Sequence, residues 1–174
     1  MPAPRFVERL NEQVGYELAA HNQYLACAVH YDALTMPQMA AFFYAQALEE
    51  RSHALMMVQY LLDTGADVVM PPIEAPVSSF ADVVAPVELA LEQERRVTAQ
   101  INELLVIARE ETDFASEQFL QWFVKEQVEE VASMSDLLAV VRRNASVVEN
   151  VEEYVARESR SDKGVSTAPR AAGG

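Results

Sequence analysis

The chain has 174 residues, 51% of them hydrophobic, with a net charge of −14 and a pI near 4.5. That is enough chain for one domain with a sizeable core. The acidic balance excludes the basic footprint of a nucleic-acid-binding protein, and no apolar run approaches the ~20 residues needed to span a bilayer.

Only 5 glycines among abundant Ala, Leu, Glu and Gln predict an all-helical protein. The N-terminal MPAPRFVERLNEQ has no apolar h-region, so no signal peptide is read there. The one cysteine, Cys27, has no internal disulfide partner, which fits a reducing cytoplasm.

Apolar periodicity predicts a first helix over about 4–33, with Leu10, Val14, Ala20, Tyr24, Ala28 and Tyr31 on one stripe. A second runs over about 37–64, opened by Pro37 and closed by Gly65, with Phe43, Ala47, Ala54, Met57 and Leu61 inward. The stretch from Gly65 to Ala81 follows, 17 residues with prolines at 71, 72 and 76. A third helix covers about 82–110, with Val87, Leu91, Val97, Ile101 and Leu104 inward. A fourth covers about 114–142, capped by Thr112 or Asp113, with Phe119, Phe123, Met134 and Leu137 inward. A short fifth helix is predicted over about 146–158, with Val147, Val148, Val151, Tyr154 and Val155 on one side. Residues 1–158 are read as one domain and 159–174 as a mobile polar tail.

The connections set the topology. Helices one and two, and three and four, are joined by short turns and must be antiparallel. The long connection could reach roughly 55–60 Å extended, against about 42 Å for a 28-residue helix. It can run the length of the bundle and start helix three parallel to helix two. The expected fold is an up-down-down-up four-helix bundle with one long crossover.

Four acids then stand out. Glu17, Glu50, Glu94 and Glu130 each interrupt the apolar stripe of a different helix, near its middle. Taking a carboxylate out of water costs several kcal/mol unless it is paired. His53 follows Glu50 by three residues, on the same face. One such acid is usually a boundary residue, and a lone Glu-x-x-His is a weak signal. A carboxylate from each of four helices with a Glu-x-x-His is the di-iron or di-manganese carboxylate pattern. Four carboxylates also balance two Fe(II). Gln127 lies a turn from Glu130. Glu49, Glu126 and Glu129 flank the inward face, either as a solvated acidic surface or as a more exposed third metal site. His21 reads as a packing residue and His30 as a boundary one.

With Glu17 and Tyr24 in the first helix, EERSHA around Glu50 and His53, QER around Glu94 and QWFVKEQVEE in the fourth helix, the chain resembles a non-haem bacterial ferritin over about 4–158. The resemblance implies a 24-subunit iron-storage cage, with the fifth helix at the fourfold axes. It also implies an intrasubunit ferroxidase centre that oxidises Fe(II) to Fe(III) with O2 or H2O2. Glu17, Glu50 and His53 would then hold the first iron. Glu50 would bridge to a second, which also takes Glu94 and Glu130. Gln127 would lie beside the oxidant, and Tyr24 would hydrogen-bond a ligand carboxylate and supply an electron. Glu49, Glu126, Glu129 and Glu130 would form the third site. Glu117 matches an acid of the threefold channels, where Leu120 replaces its neighbour. Haem-binding bacterioferritins carry a second Glu-x-x-His where this chain has Gln127-Val128-Glu129-Glu130, and a haem-ligating Met where it has Arg51. The expectation is therefore a protein distinct from bacterioferritin and free of haem. A di-iron peroxidase or oxygenase with a retained metal cofactor is the alternative.

Overall fold

Polar side chains on one helix pin the long crossover to the bundle and thereby set the direction of every later element. In a computed structural model, which describes residues 2–158 and 167–173, the order is α1 (Pro4–Ala33), α2 (Pro37–Asp63), α3 (Ala85–Glu110), α4 (Phe114–Arg143) and α5 (Val148–Glu158). Starting near the N-terminal end of α1, Asn11 donates to the Asp67 carbonyl and accepts from Val69 N. Further along, Gln23 brackets Val77 by donating to its carbonyl and accepting from its N–H. Near the C-terminal end of α1, the Tyr31 hydroxyl donates to the Val83 carbonyl at 2.7 Å. The connection therefore runs parallel to α1 and delivers the chain to the end where α2 began. From there α3 descends against α1, parallel to α2, and α4 returns against α3. This is the expected up-down-down-up bundle with a short fifth helix.

Every residue placed on the inward stripes of α1, α2 and α3 is buried, and on α4 Phe123, Met134 and Leu137 are buried while Phe119 is partly so. The core is in two parts. One apolar cluster gathers Tyr24 to Tyr31 of α1 with Phe43, Leu91, Met134 and the buried face of α5. The other gathers Phe6 to Val14 with Met57, Leu61, Ile101, Leu104 and Phe123. The four inward glutamates occupy the layer between them.

Two helix starts differ from the expected boundaries. α3 begins at Ala85 rather than near 82, because the Asp82 carboxylate accepts from Val84 N and Ala85 N and turns the chain just before the helix. Three residues of turn delay α5 to Val148, which leaves Val147 outside it and 46% exposed, while Val151 and Val155 are buried. On α4 the cap is Asp113, which accepts from Ser116 N. α2 has no cap of its own; the Glu152 carboxylate of α5 accepts from Gln38 N and Met39 N at 2.8 and 2.9 Å. An acid at a helix N-terminus also suits the helix dipole. Of the tail, residues 159–166 lie outside the described residues. Residues 167–173 return to the bundle: Ala172 N donates to the Leu55 carbonyl, and Ala168 and Ala171 pack against the second cluster.

Gly15 lies where the crossover passes closest to α1. A Cβ there would sit 2.6 Å from Pro71 Cγ and 3.2 Å from its Cβ, and a proline ring cannot swing aside. Gly15→Ala is expected to cost about 1–3 kcal/mol by overpacking. A lowered thermal midpoint with unchanged helix content would register it; an unchanged midpoint would mean that the crossover is free to shift.

Candidate metal centre

Mid-bundle, each of the four long helices contributes a buried acid: Glu17 is 1% exposed, Glu50 2%, Glu94 0% and Glu130 7%. His53 is likewise buried. The helical repeat brings His53 over Glu50, with Nδ1 3.2 Å from Glu50 Oε2 and 4.0 Å from Glu17 Oε2. Donor atoms of Glu17, Glu50 and His53 all lie within 4.8 Å of one another, close enough to share one cation.

Glu94 and Glu130 complete the layer but do not join that cluster. The Tyr24 hydroxyl donates to Glu94 Oε1. Gln127 Nε2 donates to Glu94 Oε2 at 3.1 Å and contacts the Glu94 carbonyl and Thr98 Oγ1. Gln13 on α1, which is fully buried, donates to Glu17 Oε1 at 2.9 Å. Gln13 holds the Glu17 carboxylate and Thr98 accepts from Gln127, and neither was singled out from sequence. The available signal was a glutamine one helical turn before an inward glutamate, at 13 and 17.

These contacts do not satisfy the layer. Glu17 Oε2 and His53 Nε2 are buried without a hydrogen-bond partner. Buried polar atoms are rarely orphaned without a reason; of the five among the described residues, two belong to the residues best placed to ligate a cation, and the others lie on His30, Gln46 and Gln93. Burial first, then the charges of Glu94 and Glu17, push the Glu50 carboxyl well above its usual value. Glu130 is pushed well up by burial and by Glu94. Glu94 is raised by burial, opposed by the hydrogen bonds from Tyr24 and Gln127. Burial and the surrounding carboxylates likewise hold the Tyr24 phenol protonated. Without metal, the layer keeps protons where cations would stand.

The flanking acids divide. Glu49 and Glu126 form a second donor set with His53, again within 4.8 Å of one another. Burial, then the charge of Glu49, raises the Glu126 carboxyl. Glu129 instead is 63% exposed and turns to Lys125 at 3.5 Å. Glu117 is engaged by Arg109 at 2.8 Å, and Leu120 is wholly buried in the second apolar cluster, so it is a core residue and faces no channel. His21 Nδ1 bonds to the Ala47 carbonyl at 2.6 Å, as a packing histidine would. His30 lies edge-on to Tyr31 and Phe80. Arg51 is exposed. Among the described residues, no helix is long and apolar enough to cross a membrane.

Residues 7–144 match the profile of the ferritin-like domain. Ferritin BfrB of Mycolicibacterium smegmatis is 48% identical over 170 residues, covering 98% of this chain and 94% of that one. Bacterioferritin BfrB of Mycobacterium tuberculosis is 44% identical over 173 residues, covering 99% and 96%. The solved structure of a novel open pore ferritin from the hyperthermophilic archaeon Archaeoglobus fulgidus superposes with a TM-score of 0.87 at 31% identity, covering 93% of this chain and 100% of that one. One expectation is corrected by these likenesses. Placement on the non-haem side, distinct from bacterioferritin, fails, because a relative 44% identical over nearly the whole chain bears the name bacterioferritin. Arg51 and Gln127 are two local differences, and they do not outweigh identity along the whole chain.

A carboxyl whose folded pKa lies above its unfolded value binds more protons in the folded protein. The stability it contributes is full below the unfolded value and is lost as pH rises through the raised one. For Glu50, Glu94 and Glu130 that window opens upward from the ordinary value of 4.5. The metal-free protein should therefore lose thermal stability as pH goes from about 5 to about 8, and saturating Zn(II) should flatten the loss by binding only the folded form. Melting curves across pH, with and without Zn(II), check this; stability that rises with pH in the metal-free protein would contradict it.

Proposed function

The chain belongs to the ferritin family, and from that premise we propose that it stores iron, oxidising Fe(II) at the mid-bundle carboxylate layer and holding the ferric product inside a 24-subunit cage. The observation that carries the reading is the buried set itself: Glu17, Glu50 and His53 within reach of one cation, with Glu94 and Glu130 in the same layer. Iron is substrate here. Glu17, Glu50 and His53 Nδ1 take one Fe(II). Glu50 bridges to a second, which Glu94 and Glu130 also hold. Four carboxylates neutralise the pair's four positive charges and, as hard oxygen donors, favour the ferric state as it forms. Each Fe(II) gives one electron. With O2 and two protons the pair yields H2O2; with H2O2 and two protons it yields two waters.

The surrounding residues have distinct roles. Gln127 fixes the Glu94 carboxylate and presents its amide to the oxidant side. Tyr24, hydrogen-bonded to Glu94, stands ready to give an electron. Trp122 and Phe123 pack edge-on against the His53 ring and hold it in place. One histidine among four carboxylates binds the product weakly enough to release it, which suits storage better than a retained cofactor. The setting is cytoplasmic, in line with an acidic chain whose single cysteine is buried and free.

Aerobic Fe(II) addition tests the reading. The wild type is expected to oxidise iron rapidly and to accumulate many more than two irons per chain in a large particle. Glu50→Ala and His53→Ala should each slow oxidation by at least about tenfold, equivalent to ~1.4 kcal/mol of barrier. Uptake that stops at two irons per chain would point to a retained di-iron cofactor, and rapid oxidation by Glu50→Ala would place the chemistry elsewhere.

A further inference from the structure

A line of side chains on α1 leads from near the surface to the mid-bundle layer. Arg9, Gln13 and Glu17 are spaced four residues apart and share one face of the helix. At the outer end, the Arg9 guanidinium stands over the Tyr16 ring, 5.3 Å from its centroid, and reaches Glu12 of α1 at 3.6 Å and Glu103 of α3 at 3.3 Å. Its Nη1 also donates inward to Gln13 Oε1 at 3.4 Å. Gln13, which is fully buried, donates from Nε2 to Glu17 Oε1 at 2.9 Å and to Gln100 Oε1 of α3 at 3.2 Å. Both ends of the Gln13 amide are therefore engaged.

We propose that Arg9 is a positioning residue for the first cation position. It fixes which way the Gln13 amide faces, and Gln13 in turn holds Glu17 so that one carboxylate oxygen is left for metal. The inference rests on the ferroxidase reading above and extends that site two helical turns along α1, to a residue that touches neither ligand nor metal.

Donor chemistry sets the direction of the line. A guanidinium can only donate, and an ionised carboxylate can only accept. An amide between them has one satisfactory orientation, with its oxygen toward Arg9 and its NH2 group toward Glu17. Turned over, it would set NH2 against guanidinium and oxygen against carboxylate, two repulsive contacts where the local dielectric is low. Glu17 Oε1 is thereby committed to Gln13, while Glu17 Oε2, 4.0 Å from His53 Nδ1, has no hydrogen-bond partner. Charge alone predicts the opposite effect from positioning. Arg9 is a cation two turns from a cation site, so on Coulombic grounds its removal should tighten metal binding. If it acts through Gln13, its removal frees the amide to turn and should weaken binding.

Anaerobic Co(II) titration of the intact protein tests this, because Co(II) reports its ligand geometry by visible absorption. Gln13→Leu should weaken binding of the first Co(II) by roughly tenfold, as loss of a partner behind a ligand does, and Arg9→Met by about threefold or more, each with an altered absorption band. Arg9→Lys, which keeps a donor, should hold both readouts near wild type. So should Glu103→Gln, which removes only the ion pair to α3. In a Gln13→Leu background, Arg9→Met should weaken binding no further. Tighter Co(II) binding by Arg9→Met would overturn the inference and leave the ferroxidase reading standing. So would a lowered melting temperature with affinity and spectrum unchanged, or a full second loss of affinity in the double variant. Wild-type protein that binds no Co(II) would remove the ferroxidase reading, and this inference with it.

Discussion

Mutual repulsion among buried carboxylates governs this structure. At an effective dielectric of 20, two unit charges 4 Å apart repel by about 4 kcal/mol, and each charge also pays for leaving water. Four acids in one layer cannot all stay ionised and unpaired. The fold meets the problem with protons, raising Glu50, Glu94 and Glu130, and with neutral donors from Gln13, Tyr24 and Gln127. Glu17 Oε2 and His53 Nε2 remain without a hydrogen-bond partner. Divalent cations answer the remainder, and the same incompleteness that burdens the metal-free protein drives cation binding.

The rest of the bundle holds that layer in place. Apolar clusters on both sides confine it, so the acids cannot slide toward solvent at either end. The crossover, pinned by Asn11, Gln23 and Tyr31, makes α2 and α3 run the same way and sets Glu50 and Glu94 at one depth. The fifth helix caps α2 through Glu152 and closes one end of the bundle. Binding function and fold stability therefore oppose each other within one layer, and the long apolar stripes on either side offset the opposition.

Much of this was legible in the sequence because helical periodicity makes burial readable. An acid on an apolar stripe is conspicuous, and four of them near helix centres imply convergence once the crossover is recognised. Elements whose placement depends on local hydrogen bonds were less legible. Asp82 delays α3, and a turn before Val148 excludes Val147 from α5, yet neither choice leaves a periodic trace. Residues that act by orienting others, Gln13 and Thr98, look like ordinary polar helix residues until their partners are in place. The division of the flanking acids was invisible as well: Glu126 and Glu129 are neighbours in sequence, but one faces His53 and the other Lys125. Placement within the family failed for a different reason. Two substitutions in short motifs report on those positions alone, whereas the relationship is spread over the entire chain.

The central claim is that protons and metal compete for the same buried carboxyls. Proton release on metal binding measures it directly: anaerobic Zn(II) titration of the metal-free protein in weak buffer at neutral pH, with released acid counted by pH-stat. The account predicts net proton release with each of the first two ions per chain, reduced when Glu50 is replaced by Gln. Tight binding of two ions per chain with no proton release would show that the carboxyls were already ionised, and would contradict it.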